Sequence, residues 1–244
     1  LALVSAVVGA LALVIASLHL GKPLKAWRAF LGWRKSWFSR EVIVFAGYMP
    51  LAAVHAAAFW FTPLAAFQKA IVVAAAVTGL LGVVCSAMIY VDTRREFWSA
   101  AQTFGKFLGT TLLLGAATTF AICFLTSSVS PPVLVALAVF LFVVTVTKLA
   151  FEHRIFRHLV DEETLLLTPL NKSARLLEGQ LGLVARMRVA CAVLGGLLLP
   201  PLLLLNGGGL ALTALALCVV GELLERYLFF TAVAPVTMPG GVAA

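Results

Sequence analysis

The stretch that decides the fold runs from His19 to Glu41 and reads HLGKPLKAWRAFLGWRKSWFSRE. It holds one His, one Glu, six Lys or Arg residues and three Trp residues, and it lies between two long apolar segments. The whole chain of 244 residues is 62% hydrophobic and only 11% charged. A soluble domain of this size cannot bury so much apolar surface, so the composition predicts an integral membrane protein. The polar stretch is then a connection between two membrane spans.

The apolar segments predict the number of spans, because a helix needs about 20 apolar residues to cross the membrane. Seven segments qualify, namely residues 1–20, 42–62, 70–91, 106–127, 132–151, 188–205 and 209–231. The apolar runs are continuous and not alternating, which favours helices over a membrane β-barrel. We therefore predict an all-α fold, a polytopic transmembrane helix bundle that forms a single integral membrane domain over residues 1–244. The chain begins inside an apolar segment without a Met, so we expect one more span before it and eight spans in the full-length protein.

The cysteines give no sign of a metal centre. Each sits singly inside an apolar run, and no C-x-x-C is present, so the grouped thiolates of a zinc or iron–sulfur site are missing. We expect buried thiols at all four positions, which are Cys85, Cys123, Cys191 and Cys218. The chain also lacks the sequence motifs of a nucleophilic hydrolase, a metalloprotease or a phosphate loop, so we predict no catalytic residue in it.

The basic residues assign a side to each connection. Residues 21–41, 92–106 and 152–187, with the C-terminal end, alternate with the short turns 62–69, 127–132 and 205–209. Of 18 Lys and Arg residues, Lys69 alone falls on the side of the short turns. The positive-inside rule makes the basic side cytoplasmic, in the inner membrane of a bacterium. These charges lie at membrane edges, so we expect lipid and protein partners and no nucleic acid.

Two interpretations of the exposed basic residues stay open. They can meet anionic lipid and fix the topology, or they can dock a soluble partner. The candidate docking residues are Lys22, Arg34, Lys35, Arg40, Arg94, Arg95, Arg154 and Arg157. The same choice applies to the longest cytoplasmic connection, residues 152–187, in which Thr168-Pro169 marks a turn. Charged and apolar residues alternate at helical spacing after this turn, which predicts a short interfacial helix.

His19 and Glu41 stand at the two ends of the opening stretch, at the same expected membrane depth. A histidine and a carboxylate at the membrane rim can bind and protonate the carbonyl group of a quinone. The alternatives are a histidine bonded to a backbone carbonyl and an acid favoured by the dipole of a helix N-terminus. Trp27 fits an aromatic belt or the wall of a quinone site.

Other ionisable residues fall inside the predicted spans. Lys148 and Glu152 are four residues apart and are expected to pair. Glu222 belongs to a proton path or quinone site, or it forms a structural pair with Arg226 at i+4. His55 lies about 21 Å along its helix from Glu41, at 1.5 Å per residue, toward the other side of the membrane. The sequence places no second histidine on that side, which disfavours a bis-histidine haem b there. A haem b on the basic side, held by His19 and His153, stays an alternative that no spacing supports.

Three motifs carry a resemblance to a known family. Residues His19–Arg28 look like the H-L-G-x-P-x-R-A-[FW] motif of DmsC-type membrane anchors of molybdoenzymes, within the wider NrfD-like group. Ser39-Arg40-Glu41 matches the S-x-E that begins the next span, at the same separation. Residues Gly221–Arg226 resemble the C-terminal G-E-L-x-x-R. The similarity covers the chain from residue 1 to about 230.

The resemblance implies a complex of three subunits. A molybdopterin subunit would perform the substrate chemistry, a four-cluster iron–sulfur subunit on the cytoplasmic face would carry electrons, and the anchor would exchange them with ubiquinone or menaquinone. Lys25 stands where the family has Arg, which keeps the charge but loses the planar fork. The expected quinone-binding residues are His19, Gly21, Lys25, Trp27, Arg28 and Glu41.

Orientation separates the possible members of this family. A cytoplasmic docking side looks more like the membrane subunit of cytoplasmic sulfite dehydrogenases, the SoeC type, than like exported dimethyl sulfoxide reductases. Such an enzyme oxidises sulfite and reduces quinone, whereas a dimethyl sulfoxide reductase would oxidise quinol. A purely structural anchor and a transporter or channel remain as alternatives. A transporter would show inverted repeats or broken helices at the midplane, and neither is seen in the sequence.

Overall fold

A computed structural model describes residues 2–18, 23–58, 61, 66–159, 168–206 and 209–234. Helices joined by turns account for these residues, and no strand occurs among them, so the predicted all-α class is confirmed. The chain divides into two compact units, Leu1–Thr93 and Arg94–Ala244. The expectation of a single integral membrane domain over residues 1–244 stays a prediction.

The described residues of the first unit form three α-helices and one 3-10 helix. They are α1 (Ala2–Leu18), a 3-10 helix (Pro23–Gly32), α2 (Trp37–Ala57) and α3 (Gln68–Val91). Ser36 caps α2, because its extended backbone lets its side chain accept a hydrogen bond from the N–H of Ser39 at 3.4 Å. The ring of Phe45 packs against Gly82 of α3 and occupies the space that a Cβ atom on residue 82 would need. This glycine therefore allows α2 and α3 to pack closely.

The second unit contains the remaining helices of the described chain. They are α4 (Ala100–Thr126), α5 (Pro131–His153), α6 (Pro169–Glu178), α7 (Gly182–Ala192), a π-helix (Val193–Leu198), α8 (Leu199–Asn206) and α9 (Ala211–Thr231), with 3-10 helices at Glu96–Trp98 and Arg154–Leu159. Leu113 and Phe120 of α4, Leu141 of α5 and Cys218 of α9 are almost completely buried. The apolar core of the unit therefore lies between α4, α5 and α9.

Four helical segments of the described chain are long and apolar enough to cross a membrane. They are Gln68–Val91, Ala100–Thr126, Pro131–Leu159 and Gly182–Leu205, which overlap the predicted spans 70–91, 106–127, 132–151 and 188–205. Together with the large apolar side chains exposed along them, they identify a multi-pass membrane protein. The other three predicted spans correspond to α1, α2 and α9. The total of seven spans stays a prediction, because α1 is short and α2 and α9 carry charged residues.

The connection predicted over residues 152–187 contains α6, after the expected turn at Thr168-Pro169. Thr168 caps this helix, since its hydroxyl accepts a hydrogen bond from the N–H of Asn171 at 3.2 Å. One face buries Asn171, Ser173, Ala174 and Leu177, and the opposite face exposes charged residues. The structure thus has a short helix at Pro169–Glu178, and the interfacial helix of this connection stays a prediction.

Candidate functional site

The predicted quinone site is described in part. His19, Gly21 and the docking candidate Lys22 lie outside the described residues, and so does the side chain of Lys25. Trp27 and Arg28 lie on the 3-10 helix Pro23–Gly32, and both are exposed.

Glu41 is the predicted site residue whose surroundings are best defined. It lies one turn into α2 and is half-buried against α3. The hydroxyl of Ser86 donates a hydrogen bond to its Oε1 and also lies 3.1 Å from the carbonyl oxygen of Gly82. Residues 41 and 45 on α2 and residues 82 and 86 on α3 have the i,i+4 spacing that places each pair on one helix face. The close approach at Gly82 therefore brings the hydroxyl to the carboxyl group.

Arg40 has a structural role beside Glu41. Its Nε donates to the carbonyl oxygen of Trp33 at 2.9 Å, and its Nη2 donates to that of Arg34 at 3.0 Å. Its guanidinium group also lies 4.1 Å from the centre of the Trp37 ring. Arg40 therefore fixes the turn that leads into α2, although the sequence had placed it among the docking residues.

The other described docking candidates are all exposed. Three guanidinium groups lie over aromatic rings, those of Arg34 on Trp33, Arg95 on Trp98 and Arg154 on Phe151. The full set of exposed candidates is Arg34, Lys35, Arg94, Arg95, Arg154 and Arg157. Their positions leave these charges available to a partner or to lipid headgroups.

A buried ion-pair cluster in the second unit is the main feature that the sequence did not predict. Its centre is Glu222 of α9, which forms ion pairs with Lys148 of α5 and Arg188 of α7. The Arg188 Nη2 lies 2.9 Å from Glu222 Oε1, and the hydroxyl of Thr110 donates to Oε2. Both basic residues also reach Glu152, at 3.3 Å from Lys148 and 3.1 Å from Arg188. The predicted pair of Lys148 and Glu152 is therefore confirmed.

The alternative that paired Glu222 with Arg226 stays a prediction, whereas the structure pairs Glu222 with Lys148 and Arg188. Glu222 faces the packed interior, where cations from α5 and α7 reach it, whereas Arg226 lies one turn further along α9. The guanidinium group of Arg226 instead lies 3.8 Å from the centre of the Phe107 ring. The other buried acid of α9, Glu225, forms an ion pair with Lys106 of α4 at 3.2 Å.

The burial of Lys106 and Arg188 was not predicted, because each residue is the first of a predicted span and was expected at the membrane edge. In the structure α4 begins at Ala100 and α7 begins at Gly182, so both residues lie inside helices. Both are buried. One feature of the sequence could have predicted their burial, namely that acidic and basic residues occur together in apolar segments. Ionisable residues in such segments are usually paired or functional.

A cavity of about 550 Å³ adjoins this cluster. Lys106, Glu152, Arg188 and Glu225 form its charged wall, and the rest of its lining is mainly apolar. All of its lining residues belong to the second unit.

Metal ligands are not grouped in the described part of the chain, where no three His, Cys, Asp or Glu residues could hold an ion together. The cysteines are free thiols; Cys85, Cys123 and Cys218 are buried and Cys191 is half-buried.

Comparison with known proteins identifies the family. The model of the DMSO reductase anchor subunit (DmsC) family matches residues 2–231. The chain belongs to this family. The resemblance found in the three motifs is thus confirmed by a match over nearly the whole chain.

This anchor-family chain is also similar to a curated relative, a sulfite dehydrogenase subunit from Allochromatium vinosum. The two are 42% identical over 130 residues, which cover 46% of this chain and 38% of the relative. The alignment thus spans well under half of the relative's length. No solved structure matches the chain significantly.

Proposed function

We propose that this chain is the membrane anchor and quinone-binding subunit of a three-subunit molybdoenzyme. The observation that carries the proposal is the carboxyl group of Glu41, held by the hydroxyl of Ser86 between two helices in a member of the anchor family. No described side chain forms an ion pair with Glu41. No described cation therefore holds Glu41 in its ionised form, and its carboxyl group can take up a proton and pass it to a bound molecule.

The chemistry of quinone reduction fits this arrangement. Reducing a quinone to a quinol consumes two electrons and two protons, and each carbonyl oxygen ends as a hydroxyl group. Glu41 would donate one proton to a carbonyl oxygen, and His19 would serve the other end of the site. A carboxyl group and an imidazole suit proton transfer because each can both donate and accept a proton. Replacement protons would come from the cytoplasm.

The electrons would come from a soluble partner. We propose that a four-cluster iron–sulfur subunit docks on the cytoplasmic face and that a molybdopterin subunit performs the substrate chemistry. The exposed basic residues of the second unit, Arg94, Arg95, Arg154 and Arg157, support docking, because such charges steer and orient a partner more than they tighten its binding. Molybdopterin and iron–sulfur clusters would belong to those subunits alone.

Sulfite is the substrate that we propose for the complex. The support is the identity of 42% to a subunit of a sulfite dehydrogenase, together with the basic side that the sequence places in the cytoplasm. The molybdopterin subunit would oxidise sulfite with water to sulfate, and the two electrons released would reduce one quinone here.

A second candidate runs in the opposite direction. The family model is named for an anchor of dimethyl sulfoxide reductase. In such a complex the same site would oxidise quinol, and the electrons would pass to the partner subunits. Turnover of the complex with sulfite and quinone, against turnover with quinol and dimethyl sulfoxide, separates the two candidates.

The test is the Glu41→Gln variant in the assembled complex. Gln keeps the shape but cannot supply the proton, so quinone reduction by sulfite should fall by about a hundredfold or more. Sulfite oxidation with an artificial dye should be unchanged, since the dye takes electrons from the soluble subunits. Glu96→Gln is the matched control, because Glu96 is an exposed acid, and it should leave both activities intact. Quinone turnover in Glu41→Gln within twofold of the parent would place the site elsewhere.

A further inference from the structure

The cavity beside Lys106 and Glu225, called here the Lys106–Glu225 cavity, has the character of a ligand site. Its volume of about 550 Å³ lies in the range of small-molecule pockets, roughly 300–1,000 Å³. Residues of α4, α5, α7 and α9 meet at one wall and supply the charged groups. The remaining walls are lined mostly by aliphatic and aromatic side chains, such as Phe97, Val146 and Leu197.

Buried polar atoms at this wall lack hydrogen-bond partners. Glu225 is 2% exposed, and neither of its carboxylate oxygens accepts a hydrogen bond from a described residue, although Lys106 lies at ion-pair distance. Arg188 is also 2% exposed, and within the described chain its Nε donates to no acceptor. Buried polar groups are almost always satisfied, so each of these atoms points to a missing partner.

Glu222 provides an internal comparison. It belongs to the same ion-pair cluster, yet both of its oxygens receive hydrogen bonds from Arg188, Lys148 or Thr110. It does not line the cavity. Of the acids that line the cavity, Glu152 accepts a hydrogen bond from Arg188, whereas Glu225 accepts none from a described residue.

The charges at the cavity wall cancel each other. Lys106 pairs with Glu225, and Arg188 pairs with Glu152. A phosphate or another anion would find no uncompensated cation at this wall, and a cation would find no uncompensated acid. A neutral molecule suits the wall better, provided that it can donate to Glu225 and accept from Arg188. The apolar remainder of the cavity requires the rest of that molecule to be lipophilic.

We propose that the Lys106–Glu225 cavity binds a neutral lipophilic quinol, at a site built from other residues than Glu41 and Ser86. One quinol hydroxyl would donate to a carboxylate oxygen of Glu225. The other hydroxyl oxygen would accept from Nε of Arg188, and the tail would lie along the apolar walls. The choice of a quinol within this chemical class rests on the proposed function. The cavity would hold the molecule, and no electron transfer is assigned to it.

The experiment uses a short-chain ubiquinone that carries an azido group, reduced to its quinol and applied to the assembled complex in nanodiscs. After illumination, mass spectrometry maps the labelled peptides. We expect labelling in residues 146–156 or 185–189, with competition by unlabelled short-chain ubiquinol. A label displaced by dioctanoylglycerol and not by the quinol would overturn the proposal, because the occupant would then be a lipid.

Two variants test the residues of the cavity. Ala185→Phe fills it from α7 and should reduce the labelling of residues 146–156 by about tenfold, whereas Ala190→Phe, an exposed site on the same helix, should not. Glu225→Gln keeps the side-chain shape but loses the charge-assisted hydrogen bond, which should weaken binding about tenfold. Equal labelling in Ala185→Phe and Ala190→Phe, or no labelling of the cavity in the parent, would overturn the proposal.

The outcome is independent of the Glu41 site. Labelling is measured without turnover, so cavity labelling that persists in Glu41→Gln supports the second site whether or not that variant reduces quinone. If Glu41→Gln alone abolishes all labelling, the cavity is not a second site. If quinone turnover survives in Glu41→Gln while the cavity is labelled, the proposed function of Glu41 fails and the cavity proposal stands.

Discussion

Glu222 shows how a charge can be buried in this protein. Three side chains from three other helices, Thr110, Lys148 and Arg188, satisfy its two carboxylate oxygens. A carboxylate removed from water costs several kcal/mol, about the amount that close cations and hydrogen bonds return. The cluster is therefore stable only when complete, and it fixes which faces of α4, α5, α7 and α9 meet.

The first prediction at this scale is a loss of stability in Glu222→Gln. Removing one partner leaves Lys148 and Arg188 incompletely compensated, which should cost about 3–5 kcal/mol of unfolding free energy. The thermal midpoint in detergent should fall by about 10 °C. Glu178→Gln, which removes an exposed acid, is the control and should shift the midpoint little. Equal midpoints for the two variants would show that the cluster contributes nothing to stability.

Ser86 gives the second prediction at the residue scale. In the proposed quinone site its hydroxyl would position Glu41 and supply no proton, so Ser86→Ala should lower quinone reduction by about fivefold, the effect of one lost hydrogen bond. The larger loss expected of Glu41→Gln sets the comparison. Ser130→Ala is the control, because the exposed Ser130 makes no capping hydrogen bond with its side chain. A loss in Ser86→Ala as large as that in Glu41→Gln would make Ser86 part of the proton path itself.

At the scale of elements, consecutive glycines set the spacing of the helices around the π-helix. Gly196 lies against the side chain of Thr145 on α5, in space that a Cβ would occupy. A Cβ on Gly195 would come within 2.8 Å of the carbonyl oxygen of Ala214 on α9. Gly195 thus allows α9 to pack closely against the π-helix, and Gly196 does the same for α5. The wider turn of a π-helix lets two consecutive residues face different neighbouring helices. The same segment follows α7, which carries Arg188 into the ion-pair cluster.

Opposite effects are predicted for two Gly→Ala changes. Gly196→Ala should destabilise the second unit by about 1–3 kcal/mol, because the close-packed side chain of Thr145 would have to move. Gly115→Ala, within α4, should be neutral or stabilise by up to about 1 kcal/mol, since nothing lies within 4 Å of the added Cβ and Ala favours the helix. Thermal unfolding in detergent measures both. A stabilising Gly196→Ala would show that the packing around the π-helix is loose.

The helices were predictable from sequence to the extent that apolar length defines them. The span predicted at 132–151 is α5, Pro131–His153, and the one predicted at 70–91 is α3, Gln68–Val91. The span predicted at 106–127 begins at Lys106, because this charge marks the boundary of the apolar segment. The prediction therefore missed the first turns of α4, Ala100–Thr126. A charge ends a membrane span only if it stays exposed, and Glu225 on a distant part of the chain compensates this one.

The residues of the candidate site were also predictable from sequence only in part. Glu41 was predictable, because a lone acid beside a basic stretch is visible in the sequence. Its hydroxyl partner Ser86 was not, since 45 residues separate the two and only helix packing brings them together. The cluster around Glu222 needed four helices to be assembled. Sequence spacing alone suggested Arg226, the nearest base on the same helix, as its partner.

For the whole molecule, the distribution of Lys and Arg residues predicts the membrane topology, which no single helix can predict alone. The side of the membrane predicted for residues 21–41, 92–106 and 152–187 would decide where the proposed iron–sulfur subunit docks and from which side protons would reach Glu41. It also separates a cytoplasmic sulfite dehydrogenase from an exported reductase. Because Lys and Arg in short connections resist translocation, the basic side should remain in the cytoplasm.

The last prediction tests this topology with single cysteines in a chain whose four native cysteines are replaced by Ala. Arg157→Cys and Arg34→Cys, one exposed site in each unit, should react with a membrane-impermeant maleimide in inverted vesicles and not in spheroplasts. Ser128→Cys and Phe67→Cys, exposed sites in the short turns, should show the reverse. A difference of about tenfold in labelling between the two preparations is expected, because the hydrocarbon core excludes the charged reagent. Labelling of Arg157→Cys in spheroplasts would put the docking surface outside the cytoplasm. The family would be unaffected, but a periplasmic quinol-oxidising reductase would then replace the cytoplasmic sulfite dehydrogenase as the proposed complex.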